Sequence, residues 1–100
     1  MSEESLKRLV GMTVMAAYAD EDSADFRFTA CSFSAFGARE SSQPVLALIG
    51  HKVQSVAIEG EWLKIGFVSG DEFSASLVRA DRRSGEAYSA SFDEDVTVTD

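Results

Sequence analysis

Val45-Leu46-Ala47-Leu48-Ile49-Gly50-His51-Lys52-Val53-Gln54-Ser55-Val56-Ala57-Ile58-Glu59-Gly60-Glu61-Trp62-Leu63-Lys64-Ile65-Gly66-Phe67-Val68-Ser69-Gly70-Asp71-Glu72-Phe73-Ser74-Ala75-Ser76-Leu77 is the stretch that decides the fold. Pro44 suits a first helical position, Ser42 or Gln43 can cap it, and Gly50 can close it, so a short apolar helix is expected first. Three strands follow. Val56 and Ile58 share one face, Leu63, Ile65 and Phe67 alternate strictly, and Phe73, Ala75 and Leu77 alternate again. Glu59-Gly60 begins one hairpin loop, and Ser69-Gly70-Asp71 makes the second turn with Gly70 at positive φ.

The preceding half carries the same signals. Residues 2–10 read as a helix: Ser2 as N-cap, Glu3 and Glu4 at the positive end of the dipole, and Leu6, Leu9 and Val10 as an apolar stripe. Gly11 suits the residue after the helix. Residues 12–19 read as a strand. Residues 20–25 form an acidic loop, and Phe26-Arg27-Phe28-Thr29 alternates. The five-residue spacing from Phe28 to Phe33 breaks that alternation, so a turn or bulge is expected near residues 30–32. A third strand covers 33–36, and 37–43 read as a polar connector. Leu9-Val10-Gly11 and Leu48-Ile49-Gly50 lie 48 − 9 = 39 positions apart. That offset sets Val53 on Val14, Ile65 on Phe26 and Phe67 on Phe28, and one inserted residue sets Phe73-Ser74-Ala75 on Phe33-Ser34-Ala35. The expectation is mainly antiparallel β, bordering on α+β. Two tandem halves, 2–43 and 44–92, each form a short helix and a three-stranded meander, packed as a small sandwich or open barrel. Residues 87–92 and a last strand at 96–99 are expected to extend the second half's sheet.

A chain of 100 residues is one domain with room for one core. Its only cysteine, Cys31, excludes an internal disulfide and fits a reducing compartment. An acidic start without an apolar h-region, and no run long enough for a membrane helix, point to a soluble cytoplasmic protein that makes no membrane contact. The net charge of -8 repels phosphate backbones, so nucleic acid is excluded as a partner, while a basic protein would be attracted.

From Leu46 to Phe92 the chain resembles small uncharacterised bacterial proteins. The matching residues are Leu48-Ile49-Gly50, Val53, Val56, Ile58, Leu63, Ile65, Phe67, Gly70-Asp71, Ser76-Leu77 and Gly85-Glu86-Ala87. Many of those proteins carry a proline between the Gly and Glu of the last segment, which this chain lacks. Some resemble immunity proteins of polymorphic toxins. The resemblance implies a protein-binding role, and its motifs name turns and core positions rather than chemistry.

No catalytic or metal constellation stands out. His51 is the only histidine and has no partner visible in the sequence. Cys31 lies in an apolar stretch, where a small buried hydrophobe is the default. Asp20, Asp22 and Asp25 lack the spacing and central glycine of an EF-hand, so no metal or cofactor is expected. A Ser-His-Asp triad is possible in composition but has no elbow motif. The partner-binding residues singled out are Asp20, Glu21, Asp22, Asp25, Asp93, Glu94 and Asp95, as an acidic patch if the fold unites them, and Trp62. The tryptophan either anchors a partner or covers the open end of the core. Three function classes follow. The first is a non-catalytic binding module, immunity-like, that takes a basic protein. The second is a small-ligand or catalytic domain with a pocket between the halves, where Tyr18, Arg27, Cys31 and His51 converge. The third is a homodimer built through strand edges.

Overall fold

The computed structural model describes residues 5–21, 23–78, 87–93 and 96–99, the last four by backbone alone. Strands dominate these residues: β1 Val14–Ala19, β2 Ala24–Phe28, β3 Cys31–Ala35, β4 Arg39–Ser41, β5 Val53–Glu59, β6 Trp62–Phe67, β7 Glu72–Ser76, β8 Tyr88–Phe92 and β9 Val96–Thr99. They form two antiparallel sheets, ordered β1-β2-β3-β8-β9 and β4-β7-β6-β5. Each sheet keeps its own edge strands, so the described residues form no closed barrel.

In β2 and β6 the alternation read from the sequence is the alternation of burial; in β7 it is not, because Ser74 and Ser76 are buried along with Phe73 and Ala75. In β2, Ala24, Phe26 and Phe28 are buried while Asp25 and Arg27 are only partly covered. In β6, Leu63, Ile65 and Phe67 are buried and Trp62, Lys64 and Gly66 are not. The inward residues of both sheets make one cluster. Phe26 of one sheet meets Phe73 of the other edge-on, with ring centroids 4.9 Å apart. Such a contact adds about 1 kcal/mol beyond the area it buries.

The two expected α-helices are corrected to shorter elements. A brief helical start at residues 5–6 tightens into 3-10 geometry at Lys7–Leu9, and Val45–Leu48 is 3-10 throughout. Neither segment has room for the successive i to i−4 bonds that reward an α-helix, and each is held by docking a leucine, Leu9 or Leu48, into the core. Pro44 stands at the start of the second segment, which has no side-chain cap; the cap expected from Ser2 lies outside the described residues. Gly11 (φ 93°) and Gly50 (φ 92°) both turn through the left-handed region.

Around those glycines the two halves of the chain bond to each other reciprocally. Gly11 N donates to Val53 O at 2.9 Å and Gly50 N to Val14 O at 2.8 Å. Val14 N donates to His51 O at 2.9 Å and Val53 N to Met12 O at 2.8 Å. Thr13 and Lys52 bridge between these bonds. Val14 pairs with Phe28 as Val53 pairs with Phe67, and each pairing is followed by a register shift, before Ala16 and before Ser55.

Two further corrections concern strand placement. The connector at 37–43 contains β4, which leaves the first half and pairs with β7: Arg39 opposite Ala75 and Ser41 opposite Phe73. The strands β8 and β9 do not extend the second half's sheet. β8 pairs with β3, setting Tyr88 opposite Ala35 and Ala90 opposite Phe33, and β9 pairs with β8. The two departures are linked. β4 occupies the free edge of β7 and leaves the edge of β3 open for β8.

Candidate functional site

The outer face of the five-stranded sheet brings together Tyr18, Asp25, Arg27 and Asp93. Cross-strand pairing lays two rows across it. One runs Tyr18, Asp25, Ser34, Ser89; the other runs Ala16, Arg27, Ser32, Ser91. Strand alternation produces these rows, because the same pairings send Phe26, Phe33 and Ala90 to the core. An open depression of about 330 Å³ lies on this face, lined among others by Tyr18, Asp25, Arg27, Ser32 and Ser34. Tyr18 is 60% exposed at its rim.

The charges on this face are wired in two different ways. Arg27 grips Asp93 through Nη1 and Nη2, at 3.0 and 2.7 Å, and its Nη1 also donates to Ser32 Oγ at 3.1 Å. Hydrogen bonding to Arg27 holds the Asp93 carboxyl below its ordinary range, and the same bond raises the Arg27 guanidinium. Asp93 is therefore already matched within the chain. Among the described residues, Asp25 receives only neutral hydroxyl donors, from Ser23 and Ser34, which position the carboxylate without cancelling its charge. In the β1–β2 loop, Asp20 Oδ1 accepts from Ser23 N at 3.0 Å, and Glu21 is exposed. The carbonyl of Asp20 accepts from Arg39 of the other sheet.

Asp20, Glu21 and Asp25 thus gather at one end of β2, and Asp93 stands at the other, beside the Ala30 turn to which its N–H is bonded. Asp22, Glu94 and Asp95 lie outside the described residues. Trp62 belongs to the other sheet. It is half-buried, opposite Glu59 and Ser76, and stands apart from the core cluster.

The four residues expected in a shared pocket separate. Tyr18 and Arg27 line the depression. Cys31 faces the core, fully buried, and burial pushes its thiol up to about 11. His51 stands at the end of the second 3-10 segment. Its Nε2 lies 3.2 Å from Asp71 Oδ2, and its Nδ1 is 3.2 Å from Leu48 O. Ser42 Oγ and Ser69 Oγ both donate to the Asp71 carboxylate, each at 3.0 Å. These two hydroxyls, with help from His51, hold that carboxyl below its ordinary range. The set contains Ser, His and Asp, but with the carboxylate at the centre. A nucleophilic triad needs the imidazole at the centre, so that it faces the hydroxyl it deprotonates. Here the carboxylate pins the connector before Pro44, the β6–β7 turn and the second 3-10 segment together.

Sequence reading missed both the Arg27–Asp93 pair and the Asp71 cluster. Their partners lie 66 and 20 positions apart, and no spacing rule joins them. The sequence singled out Arg27, His51 and Asp93 one by one, and Asp71 as a turn residue, but paired none of them. Among the described residues, no group of three or more His, Cys, Asp or Glu is placed to hold a metal ion, and no helix is long and apolar enough to cross a membrane. Compared with known proteins, the chain matches no family model, no curated protein and no solved structure.

Proposed function

We propose that this chain is a non-catalytic binding module that captures a cationic protein segment at the corner formed by Tyr18 and Asp25. The observation that carries the reading is their cross-strand pairing. A largely exposed aromatic ring stands beside a carboxylate held in place by neutral hydroxyls, on a chain of net charge -8. A ring face and a carboxylate side by side suit a Lys or Arg head group, the ring worth about 0.5–1 kcal/mol at an exposed site. The surrounding charge raises the encounter rate more than the final affinity. Asp20 and Glu21 extend the corner; Asp93, matched by Arg27, contributes little. An immunity-like role, in which a basic protein is neutralised, is the biological form this reading takes. It draws on the charge and on the resemblance of residues 46–92 to immunity-like bacterial proteins. A location in the cytoplasm is part of the same proposal.

The reciprocal bonds around Gly11 and Gly50 support a companion reading. In it, the chain is two copies of one module of about forty positions, packed as a small sandwich, with β4 and β8 exchanged between them. A second functional reading, a small polar ligand held in the depression, draws on the hydroxyls of Ser32 and Ser34 that line it.

Titration of the isotope-labelled protein with a Lys-rich peptide, and with a Glu-rich peptide of equal length, tests the first reading. Amide shifts centred on Tyr18, Asp25 and Ser34, seen with the basic peptide and weakened by salt, are expected. Shifts spread evenly over every surface carboxylate, or centred on Trp62, would remove it.

A further inference from the structure

Resting on that reading, we infer that the cationic partner binds as an added β-strand along β1, so that the five-stranded sheet gains a sixth. β1 is an edge of its sheet. Its residues, Val-Met-Ala-Ala-Tyr-Ala, include no charge and no proline; the protection this edge does have is the register shift after Val14 and the second 3-10 segment, which packs against the strand. Met15 is 61% exposed and Tyr18 60%, so its two largest side chains lie open to solvent, while Val14 and Ala17 face the core.

The direction of the backbone groups follows from one bond. Asp20 N donates to Ser23 O at 2.9 Å, which makes Asp20 and Ser23 a hydrogen-bonded pair. Bonded and non-bonded pairs alternate in an antiparallel ladder. Tyr18 and Ala16 therefore bond to β2, and the N–H and C=O of Ala17 and Ala19 point away from it. Among the described residues, no backbone partner beyond β2 reaches Ala17 or Ala19. Val14, which also points outward, is already bonded to Gly50 and His51. The open length therefore runs from Ala17 to the acidic loop.

Charge selects the occupant. The open length ends at Asp20 and Glu21, and its outer face carries Tyr18 beside Asp25. A second copy would bring another -8 to the same edge. An extended segment with Lys or Arg at alternate positions would instead set its cations over Tyr18 and Asp25 and its backbone against Ala17 and Ala19.

The probe is a ten-residue peptide of alternating Lys and Val in three forms: unmodified, N-methylated at every Lys, and N-methylated at every Val. In an added strand, the N–H groups of one parity face β1 and those of the other face solvent. One methylated form is expected to lose at least tenfold in affinity, while the other stays within about threefold of the unmodified peptide. Ala17→Pro in the protein, which removes one outward N–H, is expected to weaken the unmodified peptide to the same degree. The peptide series decides the matter even if that variant does not fold. Equal binding of both methylated forms, with Tyr18→Ala still weakening them, would overturn strand addition and leave cation capture standing. No binding of any form would overturn both. A homodimer in sedimentation that Ala17→Pro dissociates and the peptide does not displace would assign the edge to a second copy, and strand addition would fall.

Discussion

The β1–β2–β3 and β5–β6–β7 meanders place their inward residues alike and their outward residues differently. Phe28 and Phe67 are both buried opposite the strand start at Val14 and Val53, and both registers shift at the next step. On the outside, Met15, Ala16 and Tyr18 of β1 stand where β5 has Gln54, Ser55 and Ala57, and Arg27 stands where β6 has Gly66. A shared core constrains the inward positions, because a missing methylene there leaves a cavity. The outward positions are free of that constraint, so the meanders can differ there. At Gly66 the space is taken: a Cβ would lie 2.7 Å from Ser55 Oγ. At Arg27 the same location holds a side chain that reaches across two strands to Asp93.

The largest effect that can break the comparison is in the core. Phe28→Ala and Phe67→Ala are each expected to cost about 3–5 kcal/mol in denaturant unfolding. The two costs should agree within about 1 kcal/mol; a cost under that for either one would show that the two positions are not equivalent.

Gly11→Ala and Gly50→Ala come next. A Cβ at either position meets nothing within 4 Å, so the cost is conformational alone. About 1–2 kcal/mol is expected for each, read as a shift in unfolding midpoint at constant slope. A clear inequality would mean that the reciprocal bonds at Gly11 and Gly50 do not carry similar weight.

The pH limits of stability sharpen the contrast. Cys31 follows Phe28 across its turn as Asp71 follows Phe67. The Cys31 thiol is raised to about 11 from an ordinary 9.0, so the folded state holds its proton more tightly than the unfolded chain. The stability it contributes is complete below the ordinary value and is lost as pH rises from there towards about 11. Asp71 and Asp93 are both lowered, so each contributes stability above the ordinary carboxylate value that is lost as pH falls through the lowered one. Cys31→Ala is expected to flatten only the alkaline limb of a pH–stability profile, and Asp71→Asn only the acid limb; Asp93→Asn acts mainly on the acid limb, because the Asp93 charge also helps to raise the Cys31 thiol. Loss of the alkaline limb in Asp71→Asn would contradict the assignment.

The smallest effect is at the surface. Tyr18→Ala is expected to change stability by less than about 0.5 kcal/mol while weakening a Lys-rich peptide several-fold. Ala57→Tyr, which places a ring at the matching position of β5, is expected to gain no such binding, since Lys64, not a carboxylate, stands opposite it.

Local periodicity made much of this fold legible. Phe26-Arg27-Phe28 and Leu63-Lys64-Ile65 announce their strands, and Gly11 and Gly50 announce their turns, because each signal is set by neighbours in the chain. β4 was not legible: Arg39-Glu40-Ser41 is three polar residues on a sheet edge, with nothing to bury and no pattern to show. The destination of β8 was not legible either. Tyr88, Ala90 and Phe92 specify a strand with one buried face but not the edge it joins, which depends on where β4 has gone. The 3-10 segments read as α-helices because a start signal opens each, Ser2 in one and Pro44 in the other, and a glycine closes both; only length separates a 3-10 segment from an α-helix. At the site, the acidic loop was visible as composition. The pairing of Asp93 with Arg27, which removes one of its charges from the patch, is a contact between distant parts of the chain that no composition reports.

Residue-resolved amide hydrogen exchange tests the matched halves and the open edge together. Slow exchange is expected at Gly11, Val14, Gly50 and Val53, with similar protection within each matched pair, and fast exchange at Ala17 and Ala19. Protection at Ala17 and Ala19 equal to that of Val14, or protection at Gly50 without protection at Gly11, would contradict it.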